Sequence, residues 1–300
     1  MATDLVNHAA EWIEETVPGT TPTDPVFNWF GKIQTITPSI EATKNEAYGM
    51  DTVDATAPKS SVPESMRTSQ MKYAFKLEVK PQKSATGYDW TKIIQQILGS
   101  ATAAIDAEKF HTVYAVSYND AGVATNFTYV GVLFVDYEIS VDEGGDVVYT
   151  LDCMAMDRLD TAPTIGGGSH AADPGTEHLI STDVVITRGV TEVANTNSVT
   201  FKIARANDEN RAIRSTDPEK VVSLRGGQFN FTASLTVNAK DNTELAWVGV
   251  DVTADLEWAM DSKTLTLEEA EAEKYETTLD VASRITPIEL PFKGLDMTIA

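Results

Sequence analysis

The chain has almost no sulfur chemistry, little positive charge and no long apolar run. Its single cysteine, Cys153, rules out a disulfide within the chain, so stability has to come from packing or from assembly. Lys and Arg number 23 against 45 Asp and Glu, a formal net charge of −22 spread along the sequence without an acidic tail. Such a surface repels phosphate backbones and anionic lipid, because nucleic-acid affinity comes from basic side chains that release counterions. Neither a nucleic-acid reader nor a membrane partner is expected. No window approaches the ~20 apolar residues of a membrane-spanning helix. Met1 to Ala10 has no basic region and no apolar core, which predicts synthesis without Sec-type export. A pervasive acidic excess also suits concentrated salt, where the Debye length falls to about 3 Å and self-repulsion is screened. A halophilic source is the corresponding expectation.

Sequence motifs of catalysis are missing as well. There is no G-x-G-x-x-G, no G-x-x-x-x-G-K-[ST] and no G-x-S-x-G. The four histidines, His8, His111, His170 and His178, are scattered. Only His170 and His178, with Asp173 and Glu177 between them, have the makings of a metal cluster, and surface linker residues explain them better. Cys153 falls on the apolar side of an alternating strand and reads as a small buried hydrophobe rather than a nucleophile. Gly166-Gly-Gly168 reads as a flexible joint. No catalytic residue, cofactor or metal is therefore expected; a pocket gathering His111, Cys153 and a carboxylate would reverse that.

What the sequence does contain is a repeat. The stretch Met71 to Val79 (MKYAFKLEV) returns as Phe229 to Val237 (FNFTASLTV), apolar over apolar, 158 residues further on, and Gly31 and Gly189 keep the same spacing. Two fused copies of one β-rich unit follow, and fusing ring-forming units is a route to pseudo-symmetric assembly. The expected division is an N-terminal arm (1–25), a first β domain (26–160), a linker (161–182) and a second β domain (183–300). The fold class is mainly β, a sandwich or barrel with one helix per unit.

Pattern fills in the elements. A short helix is predicted over 3–16, then a strand near Lys32 to Thr43 and an extended polar loop to about residue 70. After the strand Tyr73 to Val79, Asp89 caps a helix ending at Leu98, with Trp90, Ile93, Ile94, Ile97 and Leu98 on one face. Strands His111 to Tyr118 and Phe127 to Ile139 follow. The second half predicts strands over Ser198 to Arg205, 229–237 and Val250 to Trp258, with a polar loop over 206–227. Thr266 and Glu269 have capping-box spacing for a helix through Glu276, before closing strands.

The most legible element is the hairpin from Val135 to Cys153, turning at Asp142-Glu-Gly-Gly145. Tyr137, Ile139 and Val141 face one way and Asp136, Glu138 and Asp142 the other; Asp152 continues the acidic face on the return strand. Asp251, Asp255 and Glu257 make a second such face in the other half. Two readings stay open: a solvated sheet exterior, or the wall of a passage along which acidic side chains keep a polyanion from sticking. On the second reading Asp136, Glu138, Asp142, Asp152, Asp251, Asp255 and Glu257 are the lumen candidates.

The late glycine hairpin Val135 to Cys153, the segment Val221 to Phe229 (VVSLRGGQF) running into Leu235-Thr-Val237, and the closing Tyr275 to Ile299 stretch with Ile288-Glu-Leu-Pro291 resemble the tail tube proteins of long-tailed viruses. The resemblance spans most of residues 30–158 and 185–300. It implies rings that stack into a tube, inner strands closing a β-barrel around the DNA path, and loops at 44–70 and 206–227 reaching the adjacent ring. With two units per chain, three chains would make a ring of pseudo-sixfold symmetry. It further implies a place in the virion tail after assembly in the host cytoplasm. Its partners would be other copies of the chain, the hub, the tape measure and the terminator, with DNA passing without specific binding. Joined to the acidic composition, it implies a virus of a halophilic archaeon. A hub or terminator subunit of the same fold is the first alternative. A halophilic ligand- or carbohydrate-binding β protein, monomeric with a concave aromatic pocket, is the second.

Overall fold

The computed structural model describes residues 8–47, 65–98, 109–118, 123–210, 223–239, 247–248, 253–273, 276–277 and 286–300. The chain is mainly β. Its first half carries β1 (His8–Glu14), β2 (Asn28–Trp29), β3 (Lys32–Ala47), β4 (Ser65–Lys80), β5 (His111–Tyr118), β6 (Ala124–Asp142), β7 (Val148–Ala155) and β8 (Asp157–Leu159). The α-helix among the described residues, α1 (Lys92–Leu98), lies between β4 and β5 and buries Ile93, Ile94, Ile97 and Leu98. The second half carries β9 (Val184–Arg188), β10 (Thr191–Glu192), β11 (Thr196–Asn210), β12 (Ser223–Ala239), β13 (Ala254–Met260), β14 (Lys263–Ala272), β15 (Glu276–Thr277), β16 (Thr286–Gly294) and β17 (Asp296–Ile299).

Among the described residues all paired strands are antiparallel, and they form three connected sheets. A central sheet runs β3-β4-β7-β6-β11-β12-β16, with the end of β14 and β15 beyond β16. One flanking sheet runs β2-β1-β5-β6-β8. The other runs β10-β9-β13-β14-β17. The long strands β6 and β14 each start in a flanking sheet and finish in the central one. A strand can change sheets only if it bends, and each does so next to a residue with left-handed backbone, Gly131 (φ 62°) in β6 and Glu269 (φ 49°) in β14.

The two halves pair their strands in the same order. Each neighbour relation of the first half, β1 with β2 and β5, β5 with β6, β6 with β7 and β8, β7 with β4, and β4 with β3, has a counterpart: β9 with β10 and β13, β13 with β14, β14 with β16 and β17, β16 with β12, and β12 with β11. Registers agree to the residue. Leu77 opposes Ile36 and Leu151, and Leu235 opposes Val199 and Leu290. The β3–β4 ladder is interrupted after Ile33 and after Thr43, and the β11–β12 ladder after Thr196, the counterpart of Ile33, and after Arg205, one residue before the counterpart of Thr43. Met71–Val79 and Phe229–Val237 hold equivalent places in β4 and β12. Gly31 and Gly189 do not: Trp29 corresponds to Glu192, which sets Gly31 level with Ala194, while Gly189 makes the β9–β10 turn.

Between the layers lies one continuous apolar core. Phe75 of the central sheet stacks on Tyr129 of the first flanking sheet (centroids 4.3 Å apart), and Phe201 meets Trp258 edge-on (5.5 Å) in the second half. The strands supply these contacts from alternate residues, which is why β7 reads half-buried and buried in strict turn.

Several sequence expectations need correction. The helix predicted over 3–16 is strand β1 over its described part; Ala10 and Trp12 turn inward two residues apart and pair along β5. The helix predicted from Thr266 to Glu276 is β14 and β15. Leu265 and Leu267, then Ala270 and Ala272, face the core, and the turn of phase at Glu269 imitates a helical spacing. One helix per unit therefore fails in the second half as placed. Thirty residues (81–110) join β4 to β5, and only fourteen (240–253) join β12 to β13. The loops expected at 44–70 and 206–227 begin and end as paired strand, with β3 reaching Ala47 and β12 starting at Ser223; residues 48–64 and 211–222 lie outside the described ones. The Gly166-Gly-Gly168 joint serves close approach. Gly167 N donates to Asp24 (2.6 Å), and a Cβ on Gly168 would sit 2.1 Å from the Pro25 carbonyl oxygen.

Candidate functional site

The face of the central sheet turned away from the core is polar across both halves. Following one cross-strand row gives Thr35, Glu78, Thr150, Glu138, Lys202, Thr232, Lys293 and Glu271. The row is mixed in sign. Glu138 pairs with Lys202 (3.4 Å), and one row away Asp152 lies 3.9 Å from Lys76. Asp136, directly opposite Asp152 in the ladder, accepts a hydrogen bond from the Arg205 backbone N–H (3.1 Å). Two carboxylates facing each other repel, and these neighbours offset that. The acidity read from the hairpin alone is thus diluted by lysines that arrive on β4 and β11.

The seven lumen candidates do not come together. Asp136, Glu138 and Asp152 share the central face, with Asp142 exposed at its end, opposite Ser198. Asp255 and Glu257 lie on β13 in the second flanking sheet. There Asp255 accepts the backbone N–H of Glu269 (2.9 Å) and Glu257 accepts the Thr187 hydroxyl (2.8 Å). Asp251 lies outside the described residues. In the first half the equivalent bulge N–H, that of Gly131, donates to Glu15 (3.0 Å), a buried carboxylate that also accepts from the Thr112 hydroxyl (2.7 Å) and Gly19 N (2.6 Å). Asp255 thus has a structural task that β-alternation alone did not reveal.

The remaining reactive side chains are separately engaged. Cys153 is buried between Phe75 and Phe134 in the ladder, and burial, then the neighbouring Asp152, pushes its thiol well above the ordinary range. A cavity of about 280 Å³ includes Cys153, Asp152 and Lys76 in its lining, and His111 is not part of it. His111 is fully buried, stacked on Phe134 at 4.2 Å, and burial pushes its pKa down to about 3. Its Nδ1 lies 3.3 Å from the Val132 carbonyl oxygen and its Nε2 3.1 Å from Gln96 Oε1; both oxygens accept, so the single N–H of the neutral ring donates to one of them. His170 bonds Glu11 (2.5 Å) and His178 bonds Asp146 (2.9 Å), so the two linker histidines serve different carboxylates. Among the described residues no three His, Cys, Asp or Glu side chains are grouped to hold a metal ion, and no helix is long and apolar enough to cross a membrane.

The feature that sequence reasoning did not locate is the join between the halves. β11 lies against the last part of β6, from Ser198 opposite Asp142 to Ile203 opposite Tyr137. Its inward residues Val199, Phe201 and Ile203 are 2%, 0% and 0% exposed. In the first half the strand in the same place is β3, and among the described residues its outer edge has no strand on it. Ile36 there is half-buried, Pro38 is exposed and Ile40 is 44% exposed. At the far end of the sheet β15, which corresponds to Glu138 and Ile139 of β6, is paired among the described residues by β16 on one side. Among the described residues the central sheet therefore ends in two open edges, and their counterparts, β11 and the last part of β6, are paired with each other inside the chain.

No protein-family model matches the chain, and no curated protein matches it. Among solved structures, one chain of the virion of a native gene transfer agent (GTA) particle is similar with a TM-score of 0.33 and 8% identity, over 40% of this chain and 97% of that one. A chain of the anti-feeding prophage (AFP) baseplate, 6-fold symmetrised, is similar with a TM-score of 0.33 and 15% identity, over 53% and 96%. Similarity at that level carries no conclusion about what this chain does.

Proposed function

We propose that the protein is a structural virion protein, the major tail tube subunit of a tailed virus of a halophilic archaeon, built from two tandem copies of one β unit. The observation that carries the reading is the joint: the chain contains one closed unit-to-unit junction and ends on the two faces of another. A head-to-tail contact of this kind generates rings when the rotation closes, and a closed sheet has no edges left for misassociation. The common order of strand pairing, common registers and common bulges support the tandem reading.

Three copies, each bringing eight strands of the central sheet, would form a barrel of about 24 strands, well beyond the 16–18 at which barrels hold an aqueous channel. At about 4.8 Å per strand its perimeter is about 115 Å before tilt. The polar face of the central sheet is the proposed bore, lined by Asp136, Glu138, Asp142 and Asp152 with Lys76 and Lys202 interspersed. Asp255 and Glu257 belong to another sheet and leave the proposed lumen. Stacked rings would conduct DNA during genome delivery, through contacts with hub, tape measure and terminator proteins, and the subunit carries no catalytic role.

Negative-stain imaging of the purified protein in high salt tests this. Long hollow filaments are expected. Single rings at every concentration would favour the hub or terminator reading, and discrete globules at every concentration and salt would overturn the tube.

A further inference from the structure

Exposed apolar side chains are informative when an equivalent residue elsewhere in the same chain is covered. Leu295 is 73% exposed, and its counterpart in the first half, one residue past the end of β7, is Met156. Met156 is covered: it packs on the cluster of Phe110, Leu133 and Leu224. Leu224 comes from the other half, at the start of β12, where the β11–β12 hairpin runs on past β6 and lies against the first half. The place of Leu224 in β12 is held in β4 by Met66, which opposes Glu46 as Leu224 opposes Glu209. Ile40, 44% exposed, likewise corresponds to the fully buried Ile203. One missing joint accounts for both exposures: a β3–β4 hairpin arriving from outside the chain would cover Leu295, and the β15 edge on which such a hairpin docks would cover its Ile40.

We infer that the partner is a second copy: β3 of one molecule adds to the β15 edge of the next, Ser39 opposite Glu276 and Pro38 opposite Thr277, and its β3–β4 hairpin covers Leu295. The register is that of Lys202 with Glu138 and Phe201 with Ile139 in the internal joint. The inference rests on the two halves being one repeated unit, and it specifies the contact that the tube reading leaves general. Pro38 lacks an N–H and removes at most one ladder bond, which an edge strand tolerates. Serine in place of Lys202 also means that the outer joint lacks the ion pair of the inner one, so it is the weaker and the reversible one.

Cysteine pairs test the register. In Ser39→Cys/Glu276→Cys and Pro38→Cys/Thr277→Cys, the two positions within one molecule are separated by seven strand spacings, about 34 Å along the sheet. A disulfide therefore has to join two molecules. Adjacent pairs of an antiparallel ladder differ in spacing by about 1 Å and both lie within disulfide reach; the native Cys153 is 2% exposed and silent. Reducible multiples of 32.6 kDa are expected from at least one pair. If filaments or rings form and neither pair cross-links, this joint is wrong while the tube reading stands. If the protein stays monomeric in every salt and neither pair cross-links, both are wrong. Independently, Leu295→Asp should weaken self-association at least about tenfold with the monomer's circular dichroism and unfolding midpoint unchanged; undiminished assembly would overturn the hairpin contact. Ser39→Lys, restoring the inner joint's ion pair, should strengthen association by no more than about fivefold.

Discussion

The inner joint and the open edges present the same strand in two environments. Val199, Phe201 and Ile203 on β11 are buried where β6 lies beside them, and Trp258 meets Phe201 edge-on. Ile36, Pro38 and Ile40 on β3 hold the same register positions, paired by β4 on one side and with no strand on the other among the described residues. The difference shows that burial at these positions depends in part on a neighbouring unit, and in part on cover within the unit, where Trp258 holds the place of Ala115. It also shows why proline is tolerated at 38 and not at its counterpart.

The largest test of that contrast is to truncate both sides. Phe201→Ala should cost about 3–5 kcal/mol in urea unfolding, the usual price of an emptied aromatic site. Pro38→Ala and Ile40→Ala should stay within about 0.5 kcal/mol in the monomer, and equal losses on both strands would break the comparison. Next come the two bends. Gly131→Ala forces a side chain into left-handed backbone with its Cβ 2.5 Å from the Met156 sulfur, and should cost about 2–4 kcal/mol by thermal or urea unfolding.

A third contrast is titration. His111 corresponds to Ala254, so the first half alone carries a buried imidazole. Its folded pKa, about 3, lies below the ordinary 6.5, so the unfolded chain binds the extra proton. The stabilisation is complete above about pH 6.5 and is lost as pH falls toward 3, by at most about 1.4 kcal/mol per pH unit. His111→Gln should flatten the stability–pH curve over that window by one proton, and an unchanged slope would remove His111 as the source. The smallest effect is Glu269→Gly, which gives β14 the residue that β6 uses at its bend. It should leave the Asp255 hydrogen bond in place and raise stability by about 0.5–1 kcal/mol.

Much of this was readable from residue pattern. β5 spans the predicted His111 to Tyr118, the β6–β7 hairpin turns where its glycines fall, and α1 buries the isoleucines that helical spacing selected. The misreadings have local causes. In β1, Ala9, Trp12 and Ile13 fit a helix as well as Ala10 and Trp12 fit a strand, and seven residues are too few to separate the periods. In β14, the Glu- and Ala-rich run Leu267 to Ala272 has high helix propensity, yet three neighbouring strands claim its backbone. Of the lumen candidates, alternation assigned each to a face of its own strand but could not say which strands share a sheet, and so it joined Asp255 and Glu257 to Asp136 and Glu138.

By itself, the sequence determined the β class, the alternation within each strand and the echo of one strand in another, because side-chain period and apolar pattern are local properties of a chain. Only the tertiary structure decided which strands adjoin, which charges neutralise each other and which edges stay open. Those depend on contacts between residues far apart in sequence, and no local period encodes them.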